Sequence, residues 1–552
     1  MAILGSAFRS VAARFLKLPR KKNGIRVERN VEMRTRDGVI LIADRYFPKD
    51  GKPRPTVLVR SPYGRGFLLA FSAALLAERG LTVVVQSVRA TDGSGGVFDP
   101  VRQERADGAD AVHWVRDQPW FGGKLYLFGG SYLGFTAWAI ATECPELVDG
   151  AAITVSQANF GDALLEGGGL AQFTALNWTR QMHDSITSGT SPFFGGKPVN
   201  PATFMHLPVG TMDQAAFGAT ESWWQDWVNR RDLADPWWRA MDFSAGVTAL
   251  RAPTLLIAGW QDLFLPYQLE DLTRRLEAGL PTWITVGPWE HGGPGGLFEG
   301  QRQAIEFLSG LAHDDPRGPV ERAPLRLYVQ GADEWRTFDN WPPKGTSTQE
   351  YHLHGGGALR EDRAPEGTGS SAYVYDPADP TPSLYGPVTM PQKSRDLSPY
   401  DHRSDVVSFT TGFLSEDLEI IGPVSVDLFV RTDNSHFDLY VALAEVNEKG
   451  TAQFVSSGYR RIEPGPLEAD GSRRVTIPCW PTAWRFAVRR KLRIYVASAC
   501  FPRYARNLGT GEPMATGTAM VKTRVEVLHD ALHPSLVRVS HQPAGYRHPP
   551  ER

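Results

Sequence analysis

Cysteine is almost missing: three in 552 residues, Cys144, Cys479 and Cys500, odd in number and far apart. That spacing excludes a disulfide framework and a zinc cluster, and it points to a reducing, cytoplasmic setting. Charge of one sign is missing as well. A formal net charge of −2 leaves no nucleic-acid footprint, and no Gly-Lys-Ser/Thr phosphate loop occurs. No apolar run approaches the ~20 residues that cross a bilayer. The longest, Phe67 to Ala77, has the length of a core helix. Internal repeats and low-complexity tracts are absent. Acid is missing locally: residues 1–27 hold none, against seven bases, Arg9, Arg14, Lys17, Arg20, Lys21, Lys22 and Arg26. In the same stretch Leu4, Phe8, Val11, Phe15 and Leu18 fall at helical spacing. The arginines interrupt any secretory apolar region. Two readings of 1–26 remain: a helix on an anionic membrane surface, or, as is commoner for one short amphipathic stretch, a leader that frays or docks locally.

What is present is length and alternation. A chain of 552 residues exceeds one ordinary domain. Residues 27–156 and 246–320 alternate short apolar strand patterns with helical ones, which predicts a doubly wound α/β domain with a covered parallel sheet. The alternation stops over 157–245, where a helix-like, tryptophan-rich stretch predicts a helical cap inserted above the carboxyl edge of the sheet. Trp178 is the cap residue assigned to an apolar pocket, although such tryptophans commonly form only the core of a small cap. From about 321 to 552, β-branched alternating segments separated by Gly/Pro/Asp turns predict a linker and an all-β jelly roll.

The candidate centre is Leu125-Tyr126-Leu127-Phe128-Gly129-Gly130-Ser131-Tyr132-Leu133-Gly134, a strand pattern running through small residues and a serine into a helix. A serine at such a turn projects its hydroxyl above the sheet, beside the free N–H groups of a helix N-terminus. The spacing departs from G-x-S-x-G, with the second glycine one place late, at Gly134. A serine hydroxyl is a weak nucleophile, so it needs a base, and the base needs a carboxylate to orient it. In doubly wound hydrolases these follow in the order acid, then histidine, each at a strand exit. Asp262 follows the strand Leu255-Leu256-Ile257-Ala258, and His291 follows Trp283-Ile284-Thr285-Val286. Glu290 is a rival acid. Two donors must also face the developing oxyanion: the backbone N–H of Tyr132 and, from the loop after the early strand, Tyr63, whose alternative is an ordinary pocket aromatic. Trp260, Phe264 and Trp289 flank the acid and base loops as candidate pocket residues.

At these residues the chain resembles the cocaine esterase and X-prolyl dipeptidyl peptidase (CocE/NonD-type) family of α/β-hydrolases. The resemblance rests on Arg60-Ser61-Pro62-Tyr63-Gly64, Gln118-Pro119-Trp120 through Gly134, Gly259-Trp260-Gln261-Asp262 and Gly287-Pro288-Trp289-Glu290-His291. Gly331-Ala332-Asp333-Glu334-Trp335-Arg336, Tyr375-Asp376-Pro377 and Phe501 to Asn507 extend it into the β-rich region. It implies a catalytic α/β-hydrolase domain, a helical cap and a galactose-binding-like jelly roll. It also implies Ser131, Asp262 and His291 as the triad, with the Tyr63 hydroxyl and the Tyr132 N–H as the oxyanion hole. Two departures stand out. Val88-Arg89-Ala90 lacks the glycine usual after this arginine. Asp262 is followed by Leu263-Phe264-Leu265, which disfavours relatives that hold a substrate ammonium beside the triad acid. Carboxylates elsewhere in the cap, Asp162 or Glu166, remain for that task.

The expectation is a serine esterase acting through an acyl-enzyme on a small-molecule ester, with no metal or nucleotide cofactor. The same triad would serve an X-Pro dipeptidyl peptidase or an amide acylase, and a non-catalytic jelly-roll binding protein is the alternative from another class. Oligomeric state is not encoded in any of these motifs.

Overall fold

A computed structural model describes residues 6–189, 197–313, 323–367, 369–389, 392 and 394–543. The chain divides into two compact units: Met1–Asp162, Arg180–Pro198 and Leu233–Leu325 form the first, and Ala163–Thr179, Val199–Asp232 and Arg326–Arg552 the second.

The first unit is built on strands β1 (Ile25–Arg34), β2 (Ile40–Pro48), β3 (Arg54–Ser61), β4 (Thr82–Ser87), β5 (Phe121–Gly130), β6 (Gly150–Thr154), β7 (Thr254–Gln261) and β8 (Thr282–Glu290). They lie in the order β1-β2-β4-β3-β5-β6-β7-β8. From β4 to β8 every pairing is parallel. The sheet is nonetheless mixed, because the β1–β2 hairpin turns at Gly38 (φ +90°) and adds two antiparallel strands at one edge. Strands β4 and β7 are buried along their whole length, which explains why Thr82–Ser87 and Thr254–Gln261 carry runs of apolar residues rather than alternation.

The same unit carries helices α1 (Ser6–Phe15), α2 (Phe67–Ala77), α3 (Glu104–Arg116) and α4 (Tyr132–Glu143). Helix α2 packs with Pro294–Ala312 on one face of the sheet; α3, α4, Ser244–Ala249 and Leu265–Glu277 pack together on the other. The long excursion between β6 and β7 is pinched at its neck. Ala158 N–H donates to Asp271 Oδ2 (2.9 Å), Phe243 N–H donates to Ala158 O (2.9 Å), and Asn159 pairs with Asp242.

The second unit is all-β apart from the two insertion segments it includes. Leu418–Thr432 pairs antiparallel with Arg473–Phe486, and Phe437–Val446 pairs with both Ala452–Ile462 and Lys491–Ala497. The final strand Leu536–His541 pairs with Ser347–His354 and also returns to Leu418–Thr432. The sheet therefore folds over on itself and encloses a core that includes Leu428, Val441, Ile494 and Val537. A second cluster gathers Tyr385, Leu397 and Tyr400, from the proline-rich stretch, onto Tyr440, Phe454, Tyr495 and Tyr504. Glu166 belongs to this unit, accepting from Trp480 Nε1 (2.7 Å) with Arg503 NH2 at 3.4 Å.

Ala90, where a glycine was expected, adopts φ +57°, and its N–H donates to Gly95 O (2.8 Å). The left-handed backbone is kept without the residue that adopts it cheaply. Ala90→Gly should therefore raise stability by about 0.5–1 kcal/mol, read as a higher denaturant midpoint with unchanged slope.

Burial pushes the Asp271 carboxyl up to about 8. The folded state then holds a proton that the unfolded chain, near its ordinary value, gives up, so this group lowers stability as pH rises from about 4 to about 8. Asp271→Asn should flatten that fall, with its advantage in melting temperature larger at pH 8 than at pH 5.

Candidate active site

Ser131 is the single residue between β5 and α4, with φ +56° and ψ −125°. A non-glycine residue there carries strain of about 1–3 kcal/mol, which its surroundings must hold in place. They do so through Ser131 N–H donating to Thr154 O (3.0 Å) and Gly134 N–H donating to Ser131 O (2.9 Å). The three nearby glycines are each required by close approach. A Cβ on Gly129 would overlap the Leu133 carbonyl, one on Gly130 the Thr154 hydroxyl, and one on Gly134 the Ser156 side chain. The late glycine thus has a physical cause. It lets α4 lie against Ser156, just past the end of β6.

The candidate base and acid arrive from the two expected strand exits. His291 Nε2 lies 3.0 Å from Ser131 Oγ, and His291 Nδ1 lies 2.8 Å from Asp262 Oδ2. The other Asp262 oxygen accepts from Phe264 N–H (2.9 Å), so the carboxylate is held from two directions. Asp262 is buried and His291 nearly so. Asp262, and not the neighbouring Glu290, supplies the oxygen on Nδ1. With Nδ1–H donating to the carboxylate, Nε2 is left as the acceptor for the serine proton, which is the tautomer that proton abstraction needs.

The Tyr63 ring meets the Tyr132 ring edge-on at 6.3 Å. Its loop is clamped by Arg65: Arg65 N–H donates to Asp92 Oδ2 (2.9 Å), NH1 donates to Ser87 Oγ and Asp92 O (2.7 Å each), and Nε lies 3.3 Å from Asp44 Oδ1. Tyr132 opens α4, which puts its backbone N–H at the helix N-terminus. Its side chain runs the other way, into the protein. The hydroxyl donates to Glu104 Oε1 (3.0 Å) and accepts from Val101 N–H (2.8 Å). Burial, then the Glu104 carboxylate, pushes this phenol well above its ordinary value, so it remains a donor. Glu104 in turn pairs with Arg60, whose Nε donates to Gln86 Oε1 (2.8 Å); both members of the pair are fully buried.

This Arg60–Glu104–Tyr132 chain was not singled out in the sequence. An acid in the first turn of a helix ordinarily signals only a favourable helix end, and nothing local ties Glu104 to the residue after the serine.

Of the four expected pocket aromatics, Phe264 is edge-on to His291 at 5.4 Å and to Phe135 at 5.4 Å. Phe135 also meets Phe160 at 5.4 Å, extending the aromatic row with two residues the sequence reading omitted. Trp260 is buried. The Trp289 indole is packed against Gly287, Gly295 and Gly296, where any Cβ would crowd it. Trp178 lies in the second unit, tilted on Trp227 at 5.9 Å. Trp223, Trp224 and Trp227 are buried there, and Trp238 is buried in the first unit.

Removing one member of a buried ion pair strands the other, which costs about 3–5 kcal/mol. Arg60 NH2 keeps Asp107 Oδ2 at 3.8 Å, so Glu104→Ala should destabilise the protein by the lower end of that range, about 3 kcal/mol, in denaturant titration. Tyr132→Phe, which leaves Arg60 paired, should cost only about 1–3 kcal/mol.

Residues 37–293 match the family model of the X-Pro dipeptidyl-peptidase (S15 family), and residues 320–538 match that of the X-Pro dipeptidyl-peptidase C-terminal non-catalytic domain. The chain is 28% identical over 540 residues to a cocaine esterase from Rhodococcus sp. (strain MB1 Bresler), covering 89% of this chain and 93% of that one. Among solved structures, an aminopeptidase from a marine sediment Thaumarchaeota archaeon superposes with a TM-score of 0.80 at 21% identity, over 94% of this chain and 96% of that one. An α-amino acid ester hydrolase superposes with a TM-score of 0.78 at 21% identity, over 94% and 97% respectively. These two establish the fold: an α/β-hydrolase domain followed by an all-β domain.

Proposed function

Since the chain belongs to the family of α/β-hydrolases that includes cocaine esterase and the X-Pro dipeptidyl-peptidases, and is therefore a hydrolase, we propose that it is a serine esterase using Ser131, His291 and Asp262. The observation that carries this reading is the continuous chain from Ser131 Oγ through His291 to Asp262 Oδ2, at 3.0 and 2.8 Å. His291 Nε2 takes the serine proton as Oγ attacks the ester carbonyl, and Asp262 steadies the imidazolium that forms. The Tyr63 hydroxyl and the Tyr132 N–H receive the oxyanion. Collapse of the tetrahedral species breaks the bond to the alcohol, which leaves with the proton from His291. Water activated by the same imidazole then releases the acid and restores Ser131.

The substrate is a small ester with an apolar group. The row Phe264, Phe135 and Phe160 beside His291 supports this, as does the lack of a carboxylate at positions 263–265. Glu166, one candidate anchor for an ammonium, is already engaged by Trp480 and Arg503. Asp162 favours the second reading, an X-Pro dipeptidyl peptidase or amide acylase. It is half-buried, and burial followed by Glu270 pushes its carboxyl up to about 6 against the pull of Arg274. A substrate ammonium would add a second cation beside it.

The working division of the chain keeps 27–156 and 246–320 as the catalytic domain, 157–245 as its inserted cap and 321–552 as linker and jelly roll. A cytoplasmic location is supported by the three cysteines, all free and buried. Among the described residues no helix is long and apolar enough to cross a membrane.

Fluorophosphonate labelling located by peptide mass spectrometry tests the nucleophile, with p-nitrophenyl esters and Ala-Pro-p-nitroanilide as substrates. Label on Ser131 with ester turnover alone is expected, whereas anilide turnover would move the assignment to peptidase. Ser131→Ala should lose about 10⁴–10⁶ in kcat and Tyr63→Phe about 10²–10³. An unchanged kcat in Tyr63→Phe would remove that hydroxyl from the oxyanion hole.

A further inference from the structure

Helix α1 has two unlike faces. One is docked: Arg9 Nε donates to Glu78 Oε1 (2.9 Å), an ion pair buried on both sides, and Leu16 and Leu18, just past the end of the helix, are buried. The chain that follows is tied down as well, with Lys22 N–H donating to Glu78 O (2.9 Å) and Arg79 NH2 donating to Pro19 O (2.6 Å). The other face is unusually bare. Phe8, Val11 and Phe15, at helical spacing, are 51%, 66% and 77% exposed. The Phe15 ring meets Phe298 edge-on at 6.4 Å, and Phe298 and Leu297 are themselves 53% and 42% exposed. Two separate elements thus contribute to one exposed apolar patch with two phenylalanines in contact. Solvation alone gives no reason to keep such a patch.

Its charge surroundings select the occupant. Arg14, Lys17, Arg20, Lys21 and Lys22 are all exposed along the same segment, whereas Arg9 is turned inward onto Glu78. Residues 1–27 contain no acid. Of the acids near Phe298, Glu299 and Glu306 share Arg302, which leaves one negative charge there against the five exposed bases of the segment. A second copy of the chain would bring like charges together across the patch. A surface of anionic headgroups over acyl chains matches both parts, taking Phe8, Val11 and Phe15 below the headgroup level and pairing the lysines and arginines with phosphates.

We propose that α1, together with Leu297 and Phe298, is a docking face for an anionic phospholipid surface. Phe298 lies on the helix Pro294–Ala312, which begins three residues after His291. Docking there sets the loop carrying the histidine close to the bilayer, where apolar esters partition.

The test is co-sedimentation of the full chain with vesicles of phosphatidylcholine alone and of phosphatidylcholine mixed with phosphatidylglycerol, at low and raised ionic strength. Binding to the anionic vesicles, weakened by salt, is expected. The variant V11S/F15S/F298S should bind at least about tenfold more weakly while hydrolysing a soluble ester as the wild type does, which shows that it is folded. The proposal is overturned by no binding to anionic vesicles at low salt, by equal binding of the variant, or by equal binding to both vesicle types. It is also overturned by a wild-type dimer that the variant converts to monomer, since the face would then join copies of the chain. None of these outcomes depends on which bond the enzyme cleaves.

Discussion

A backbone conformation that serine does not adopt by itself organises this molecule. At φ +56°, ψ −125°, Ser131 pays for its exposure with strain, and the cost is met by hydrogen bonds to Thr154 O and from Gly134 N–H. Those bonds form only if β5 and β6 are paired and α4 starts at once, so the parallel sheet, the turn and the helix are one cooperative arrangement. Gly129, Gly130 and Gly134 are the places where it leaves no room for a side chain. Everything the site does starts from where that turn holds one hydroxyl.

Buried charge then holds the loops around the turn. Arg60, Glu104 and Tyr132 link β3, α3 and the first residue of α4 through a chain with no solvent access. Arg65 does the same for the Tyr63 loop, reaching Asp44, Asp92 and Ser87. Such networks are poor devices for raising stability, because desolvation offsets much of their attraction. They are better at fixing position. Planar guanidinium groups with several partners tolerate little displacement, and a phenol donating to a buried carboxylate resists reorientation. The Tyr63 loop and the start of α4 are therefore both tied to the sheet.

The same logic of docking by one buried pair recurs at the N-terminal helix. Arg9 and Glu78 attach α1 to the end of α2, and the attachment turns three large apolar side chains outward. Neither of the two sequence readings of the leader describes this alone. The segment docks locally, and it also keeps the apolar face that a membrane-surface helix would need.

Much of this was legible in the amino-acid order. Continuous apolar strands alternating with helices specify a covered sheet, because strand and helix periodicities are properties of neighbouring residues. Ser131, Asp262 and His291 stood out because each follows a strand, and strand ends share one edge of a parallel sheet. Other features needed the folded chain. Asp262 rather than Glu290 approaches His291, the Tyr132 side chain turns inward to Glu104, and Ala90 takes a glycine conformation. The antiparallel joining of β2 to β4 and the Arg9–Glu78 pair belong to the same group. These depend on residues far apart in the chain, whose meeting is decided by how helices and strands pack. Local periodicity determined which elements form and which ends carry chemistry; tertiary packing alone decided which side chains touch.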